Sequence, residues 1–133
     1  MRRSLTGTAL ISVLGFQLLA HHSITGVYDT TREIKIEGSV REFHFVNPHP
    51  FITAEVTRAG KVESWKLEMD NRSELVAIGV SETTFRPGDR ITVSGSPGRS
   101  QELALYIRRL DRPVDGFWYE QVGFEPRIRP ARN

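Results

Sequence analysis

The chain contains no cysteine, only two methionines and two tryptophans, and a formal charge of only +2. Without cysteine, disulfide bonds cannot hold a small fold together, and thiolate metal centres are excluded. The sequence also lacks a phosphate-binding loop, a dinucleotide fingerprint, a Ser-His-Asp order and a paired-carboxylate motif. No reaction is indicated, so the sequence favours a binding protein over an enzyme.

The sequence has no long hydrophobic run, and its best apolar stretch is a short one near the N-terminus. Arg2 and Arg3 precede the mostly apolar segment from Leu10 to Leu19, and Ala20 is a small residue suited to the position before a cut. Glycine and polar residues make this segment a poor membrane span. We expect a cleavable signal peptide and a periplasmic or secreted protein, with an uncleaved anchor as the alternative.

Part of the net positive charge of the chain comes from this leader. Removing Arg2 and Arg3 lowers the number of Lys and Arg from 18 to 16, which equals the 16 Asp and Glu. A formally neutral mature chain lacks the electrostatic footprint that binds nucleic acids or anionic membranes. We expect no nucleic-acid partner, and no transmembrane segment after cleavage.

Apolar residues at every second position predict five strands. The first strand changes phase between Val40 and Phe43, which predicts a bulge near Gly38 to Glu42. The prolines of Asn47-Pro48-His49-Pro50 end this strand, and Ala59-Gly60 forms a later turn. Strand by strand, the alternating residues are Ile34, Ile36 and Val40; Ile52, Ala54 and Val56; Trp65, Leu67 and Met69; Ile91, Val93 and Gly95; and Leu103, Leu105 and Ile107.

Between the third and fourth strands, Asp70 to Gly79 has the pattern of a two-turn helix. Possible N-cap residues precede apolar positions at helical spacing, and Gly79 suits the C-terminal end. The resulting order, βββαββ, predicts an all-β fold with one short helix. A bent first strand and a helix before the fourth favour a five-stranded OB-like barrel. An open meander sheet is the alternative.

These patterns divide the chain into four parts. Residues 1–20 are the expected signal peptide, and residues 21–33 are an N-terminal arm with little regular structure. Residues 34–110 form the OB-like barrel, and residues 111–133 form an aromatic and basic extension. We expect Phe117-Trp118-Tyr119 in this extension to cover an open edge of the barrel.

The four histidines are the strongest chemical signal in the chain. Cleavage after Ala20 would make His21 the first residue, whose α-amine and imidazole form a chelate. His49 lies in the loop between the first two strands, one of the ligand-carrying loops of OB barrels. Imidazole ligands suit Cu, Zn and Ni, and a planar nitrogen set favours Cu(II). The sequence therefore predicts a copper site with His21 and His49 as ligands and His22 or His44 as a further ligand.

Each histidine also has a simpler interpretation. His49 could hydrogen-bond within its own turn, whose Asn and Pro are good turn residues. His44 lies between two phenylalanines, and if these face the core, it becomes an exposed strand residue. His21 and His22 would bind metal only incidentally if the arm were disordered.

Two residues of the third strand are candidates for supporting roles. Trp65 is expected in the core. Glu68 has the opposite parity and is either a carboxylate that orients a histidine or a solvated side chain.

Several motifs together resemble a family of small exported bacterial proteins of unknown function. They are the leader, HHS after Ala20, NPH at Asn47 to His49, W-x-x-E at Trp65 to Glu68, a Leu75-x-x-x-Gly79 helix, and PGDRITVSG from Pro87. The resemblance covers about residues 1–110 and implies a fold and a compartment, but no activity. The positions that match its motifs are His21, His22, Ser23, Asn47, Pro48, His49, Trp65 and Glu68.

The main functional prediction is a periplasmic barrel that binds a metal ion, with copper as the first choice and no other cofactor. The alternative is a non-catalytic module that binds an envelope protein or a small ligand, with incidental histidines. A copper oxidase is a third interpretation, but the sequence indicates no substrate for it.

Overall fold

A computed structural model describes residues 24–123 and 125–132. Within these ranges seven strands form one sheet, in the order β3-β2-β1-β4-β5-β6-β7. The strands are β1 (Ile34–His44), β2 (Phe51–Arg58), β3 (Lys61–Glu68), β4 (Arg90–Pro97), β5 (Ala104–Arg112), β6 (Phe117–Val122) and β7 (Glu125–Arg129), and a helix, α1 (Arg72–Ala77), lies between β3 and β4.

The predicted five-stranded barrel is confirmed. Strands β1 to β5 form antiparallel pairs, and β3 then pairs with β5 in parallel, from Lys66 opposite Ala104 to Glu68 opposite Tyr106. This last pairing closes the sheet on itself, so the open meander is excluded.

Strand β1 bends where the sequence predicts a bulge. Its pairing with β2 shifts register between Val40 and Glu42. Val40 is buried, and Phe43 packs against the core in spite of its opposite parity. Gly38 lies so close to β2 that an added Cβ would be 2.4 Å from the Glu55 carbonyl oxygen. The bend lets one strand pair with β4 in its first half and with β2 on both sides of the bulge.

The barrel interior is filled by the predicted alternating residues. Trp65 is 1% exposed, which confirms its place in the core, whereas Leu103 lies in the turn before β5 and is exposed. Helix α1 packs Leu75 against this core. It has only six residues, and no helix in residues 24–123 and 125–132 is long and apolar enough to cross a membrane.

The C-terminal extension adds a β-hairpin to the barrel. Strand β3 pairs with one edge of β5 at residues 104–106, and β6 pairs with the same edge from Arg109 to Arg112. Phe117 and Tyr119 of β6 are buried in the barrel core, and Ile128 of β7 packs against it. The aromatic segment thus pairs with the part of β5 that β3 leaves free.

The N-terminal arm differs from the expectation of little regular structure. Residues 24–27 form a helical turn, and Tyr28 makes an isolated β-bridge with Gly98. The backbone N–H of Asp29 donates to the Pro97 carbonyl over 2.8 Å. Tyr28 is 1% exposed and packs on Tyr106 of β5. Burial of this large ring gives an otherwise polar arm a fixed place on the barrel wall.

Candidate functional site

His49 lies in the β1–β2 loop and is held against the end of β3. Its Nδ1 lies 3.1 Å from the carbonyl oxygen of Met69. Because a carbonyl can only accept, Nδ1 must carry the proton, and Nε2 of the neutral ring keeps its lone pair. Metal-binding histidines commonly have this arrangement, in which one nitrogen donates to a carbonyl and the other binds the metal.

The loop that carries His49 is fixed by backbone hydrogen bonds to the β3–α1 connection. The Met69 N–H donates to the Pro50 carbonyl, and the Arg72 N–H donates to the Pro48 carbonyl, each over 2.9 Å. The Arg72 guanidinium lies 4.6 Å from the centre of the Phe45 ring and also donates to the Phe45 carbonyl. The Asn47–Pro48 peptide bond is cis. The imidazole therefore projects from a loop anchored along most of its length.

His44 lies on the outer face of the barrel, opposite in direction to its phenylalanine neighbours. Its ring stacks on Phe51 at 4.2 Å with an interplanar angle of 14°. Its Nε2 is 3.1 Å from Thr53 Oγ1 and 3.4 Å from a carboxylate oxygen of Glu42. The side chain is 26% exposed. The imidazole lies on the face opposite the phenylalanines, but it is half-buried rather than exposed, and it already has a polar partner.

Glu68 is not the solvated side chain of one expectation, and its role in orienting a histidine stays a prediction. Its Oε2 accepts a 2.7 Å hydrogen bond from the Tyr28 hydroxyl and lies 3.1 Å from Lys66 Nζ. The side chain is only 14% exposed, so it is not simply solvated, and these partners include no histidine. Burial, and then the hydrogen bond to Glu68, raise the pKa of Tyr28.

A second group of polar residues surrounds Asp70, just after β3. Burial raises the pKa values of Tyr106 and Tyr119, and the negative charge of Asp70 raises both further. The Asp70 N–H also donates to the Tyr119 hydroxyl over 3.4 Å. Glu74 of α1 has a raised pKa because of burial first and the Asp70 charge second, while the Asn71 amide donates to it. These contacts join β5, β6 and α1 around the residue that follows β3.

Glu74→Gln is expected to stabilise the fold near neutral pH by roughly 0.5 kcal/mol, the size of one like-charge repulsion on a helix. A carboxyl group whose pKa is raised in the folded state stabilises the fold at pH values below its pKa in the unfolded chain. This stabilisation is lost as the pH rises through the pKa of the folded state. The gain should therefore vanish below about pH 4. Urea unfolding at pH 7 and pH 4 measures this, with the exposed Glu82→Gln as control. An equal gain at both pH values would contradict the repulsion.

The four predicted histidine ligands fall into two groups. His21 and His22 lie outside the described residues. His44 and His49 lie at the two ends of the β1–β2 connection, with separate partners at Thr53 and Met69. In residues 24–123 and 125–132, no three His, Asp or Glu side chains are grouped so that they could hold a metal ion.

Sequence reasoning missed the residues that tie the arm to the barrel. Tyr28 is the one aromatic residue of the polar arm. A single large aromatic side chain in a polar segment indicates that this side chain is buried. Tyr106 has the parity opposite to Leu105 and Ile107, so its outward direction was also predictable. The contact between Tyr28 and Glu68 was not predictable. Alternation shows on which face of a strand a residue lies, but not which residue it contacts across the barrel.

The sequence matches the model of a family described as a family of unknown function (DUF6152), over residues 9–105. The chain belongs to this family. The matched region runs from before the arm to the part of β5 that closes the barrel, and it contains all four histidines and Glu68. Membership in DUF6152 agrees with the predicted resemblance to a family without an assigned activity. No curated protein matches the chain.

Proposed function

We propose that this DUF6152 protein is an exported copper-binding barrel in which the mature N-terminus and His49 bind one metal ion. The observation that carries the proposal is the hydrogen bond from His49 Nδ1 to the Met69 carbonyl. It fixes the tautomer and the ring, and it leaves Nε2 available as a ligand. The anchored loop keeps this nitrogen in place before a metal arrives.

The path of the arm supports a meeting of the N-terminus with His49. Tyr28 bonds to Glu68, and His49 bonds to Met69, so the two attach to consecutive residues of the same strand end. One helical turn, about 6 Å in rise, separates Tyr28 from Ile24. From Ile24 the three residues back to His21 span at most about 11 Å. This short tether limits how far the terminal amine can lie from the strand end that holds His49.

The proposed ligands suit copper by their chemistry. Signal-peptide cleavage after Ala20 would release the His21 α-amine, which joins its own imidazole and His49 Nε2 as a third nitrogen. Three nitrogen donors with a planar preference favour Cu(II) among the divalent metals. His22 follows directly and is the proposed further ligand, whereas the His44 imidazole is engaged by Thr53 and Phe51. Binding requires a free amine and neutral imidazoles, so affinity should fall as pH decreases through about 7 to 6.

The test is a competitive Cu(II) titration of protein exported through its own leader, with the N-terminus checked by intact mass. The folded protein should bind far more tightly than a His-His-Ser peptide. His49→Ala should weaken binding by more than the ~10-fold typical of changes outside the ligand set. An added residue before His21 should weaken it similarly, because it removes the terminal chelate.

His44→Ala is the matched control, since it removes an imidazole from the other end of the same connection. It should change the affinity by less than about twofold if His44 is not a ligand. Peptide-like affinity of the folded protein, or a His49→Ala variant with unchanged affinity, would contradict the proposal. The module that binds a protein or small ligand would then be the better interpretation.

A further inference from the structure

We propose that Tyr28 and Glu68 form a latch that positions the N-terminal arm for metal binding, so that arm docking and metal binding stabilise each other. The inference rests on the proposed function. It adds two positioning residues, neither of which is a proposed ligand.

The latch joins two elements far apart in the sequence. The Tyr28 hydroxyl donates to Glu68 Oε2 over 2.7 Å, and the ring is almost fully buried. The residues before it, 25–27, are exposed. A hydrogen bond to a carboxylate is stronger than one between neutral groups. This contact is therefore well placed to decide where the arm lies on the outside of β3 and β5.

The acceptor side of the latch is held in place. Lys66 Nζ lies 3.1 Å from the same oxygen of Glu68 and 5.0 Å from the centre of the Phe51 ring. In register, Glu68 lies between Phe51 of β2 and Tyr106 of β5. The carboxylate thus sits where the closing pair of strands meets, on the residue before the one that holds His49.

The rest of the arm is docked on the turn after β4. The Arg99 N–H donates to the Val27 carbonyl over 2.8 Å, and its guanidinium donates to the Thr25 carbonyl over 2.9 Å. These bonds hold the arm against residues 97–99, whereas the Tyr28 hydroxyl connects it to β3. Loss of the hydroxyl should therefore weaken docking of the arm as a whole, including the hydrogen bond from the Asp29 amide to the Pro97 carbonyl.

Coupling between two binding events is reciprocal. If the docked arm presents His21 to His49, a bound metal must also hold the arm down. Copper should then slow hydrogen exchange of the Asp29 amide, which donates to the Pro97 carbonyl in the docked arm. The same amide reports arm docking without metal, so it separates the latch from the metal site.

The experiment compares Tyr28→Phe, Glu68→Ala and Glu68→Gln in the mature protein. Tyr28→Phe keeps the buried ring and should speed Asp29 exchange and weaken Cu(II) binding, each by about 10-fold, as for changes that orient a ligand. Glu68→Ala should act alike, and Glu68→Gln should restore much of both, because its amide oxygen still accepts from Tyr28. The control Arg41→Met removes an exposed ion pair with Glu55 and should change neither.

The outcomes separate the latch from the proposed function. Unchanged exchange and affinity in Tyr28→Phe and Glu68→Ala would overturn the latch, while tight His49-dependent binding would still support the copper site. Faster exchange with unchanged affinity would overturn the coupling. Peptide-like affinity of the wild-type protein would overturn the copper site and the latch's role in it, even if Tyr28→Phe loosened the arm.

Discussion

Replacement of Arg112 by Met should lower the free energy of unfolding by about 3 kcal/mol, because it removes one partner from a buried ion-paired network. Arg112 is 8% exposed at the end of β5. Its guanidinium donates to Asp89 over 2.9 Å, to the Thr84 carbonyl over 2.6 Å, and to Asp115 over 3.0 Å. It also lies over the rings of Phe85 and Phe117, at 5.7 and 4.9 Å from their centres.

The cost comes mainly from the partners that the substitution leaves behind. Met can fill part of the space between the two rings, but it donates no hydrogen bond to the carboxylates or the carbonyl. The Asp89 and Asp115 side chains are 21% and 24% exposed, so water offsets only part of the loss. Three connections would loosen together: the turn before β4, residues 81–86, and the β5–β6 turn.

The hydrogen bond from Arg112 lowers the pKa of Asp115. A carboxyl group whose pKa is lowered in the folded state stabilises the fold at pH values above its pKa in the unfolded chain. This stabilisation is lost as the pH falls through the pKa of the folded state. The effect of Arg112→Met should therefore be full near neutral pH and shrink below about pH 4. Urea unfolding across this range measures both the size and the pH dependence of the loss.

Arg127→Met is the matched control, since Arg127 also pairs with a carboxylate, Glu120, over 2.6 Å, but is 63% exposed. An exposed pair contributes about 0–1 kcal/mol. A loss below about 1 kcal/mol for Arg112→Met, or equal losses in the two variants, would contradict the structural role of the buried guanidinium.

The second large effect is expected at Gly95, where Ala should destabilise the fold by about 3 kcal/mol and lower Tm by roughly 10 °C. A Cβ at this position would lie 2.0 Å from the Tyr106 carbonyl oxygen and 2.8 Å from Leu105 Cδ2. Gly95 is also where the β4–β5 register shifts. The clash is with the backbone of β5, which is already fixed by its pairing with β3, so it cannot be relieved by a rotamer change.

Gly26→Ala is the control for the loss of a glycine as such. Gly26 lies in the helical turn of the arm, and a Cβ there would have no atom within 4 Å. Its effect should stay within about 1 kcal/mol in either direction. Thermal unfolding followed by circular dichroism compares the two variants. A Gly95→Ala protein with wild-type Tm would show that β4 and β5 can move apart at the bulge.

Much of the barrel could be predicted because alternation reports directly which face is buried. The phase change between Val40 and Phe43 located the bulge, and the same parity placed His44 outside. The hairpin was harder to foresee. Its β6 alternates over a short aromatic stretch, and Pro126 and the glycine turn at Gly123 interrupt the pattern.

The candidate site was only partly open to sequence reasoning. The loop position of His49 followed from the prolines around it, but its hydrogen bond to Met69 depends on how β2 and β3 pair. The contact of Tyr28 with Glu68 depends on closure of the barrel, which brings β5 and the arm beside β3. The pattern of apolar residues along the sequence does not give the parallel register of β3 and β5. The contact between Tyr28 and Glu68 could therefore be found only in the structure.

Strands β3 and β6 both pair with the same edge of β5, and this arrangement sets an order in which the strand pairs can form. The β3–β5 pairing joins residues nearly forty positions apart and must first offset the entropy of a long loop. The β5–β6 pairing is local, across the turn at residues 113–116, and forms at much smaller entropic cost. A chain emerging from its N-terminus therefore cannot close its barrel until β5 has appeared, and a hairpin can form on β5 while closure is still pending. The hairpin that follows β5 is thus among the first segments able to protect the strand on which barrel closure depends.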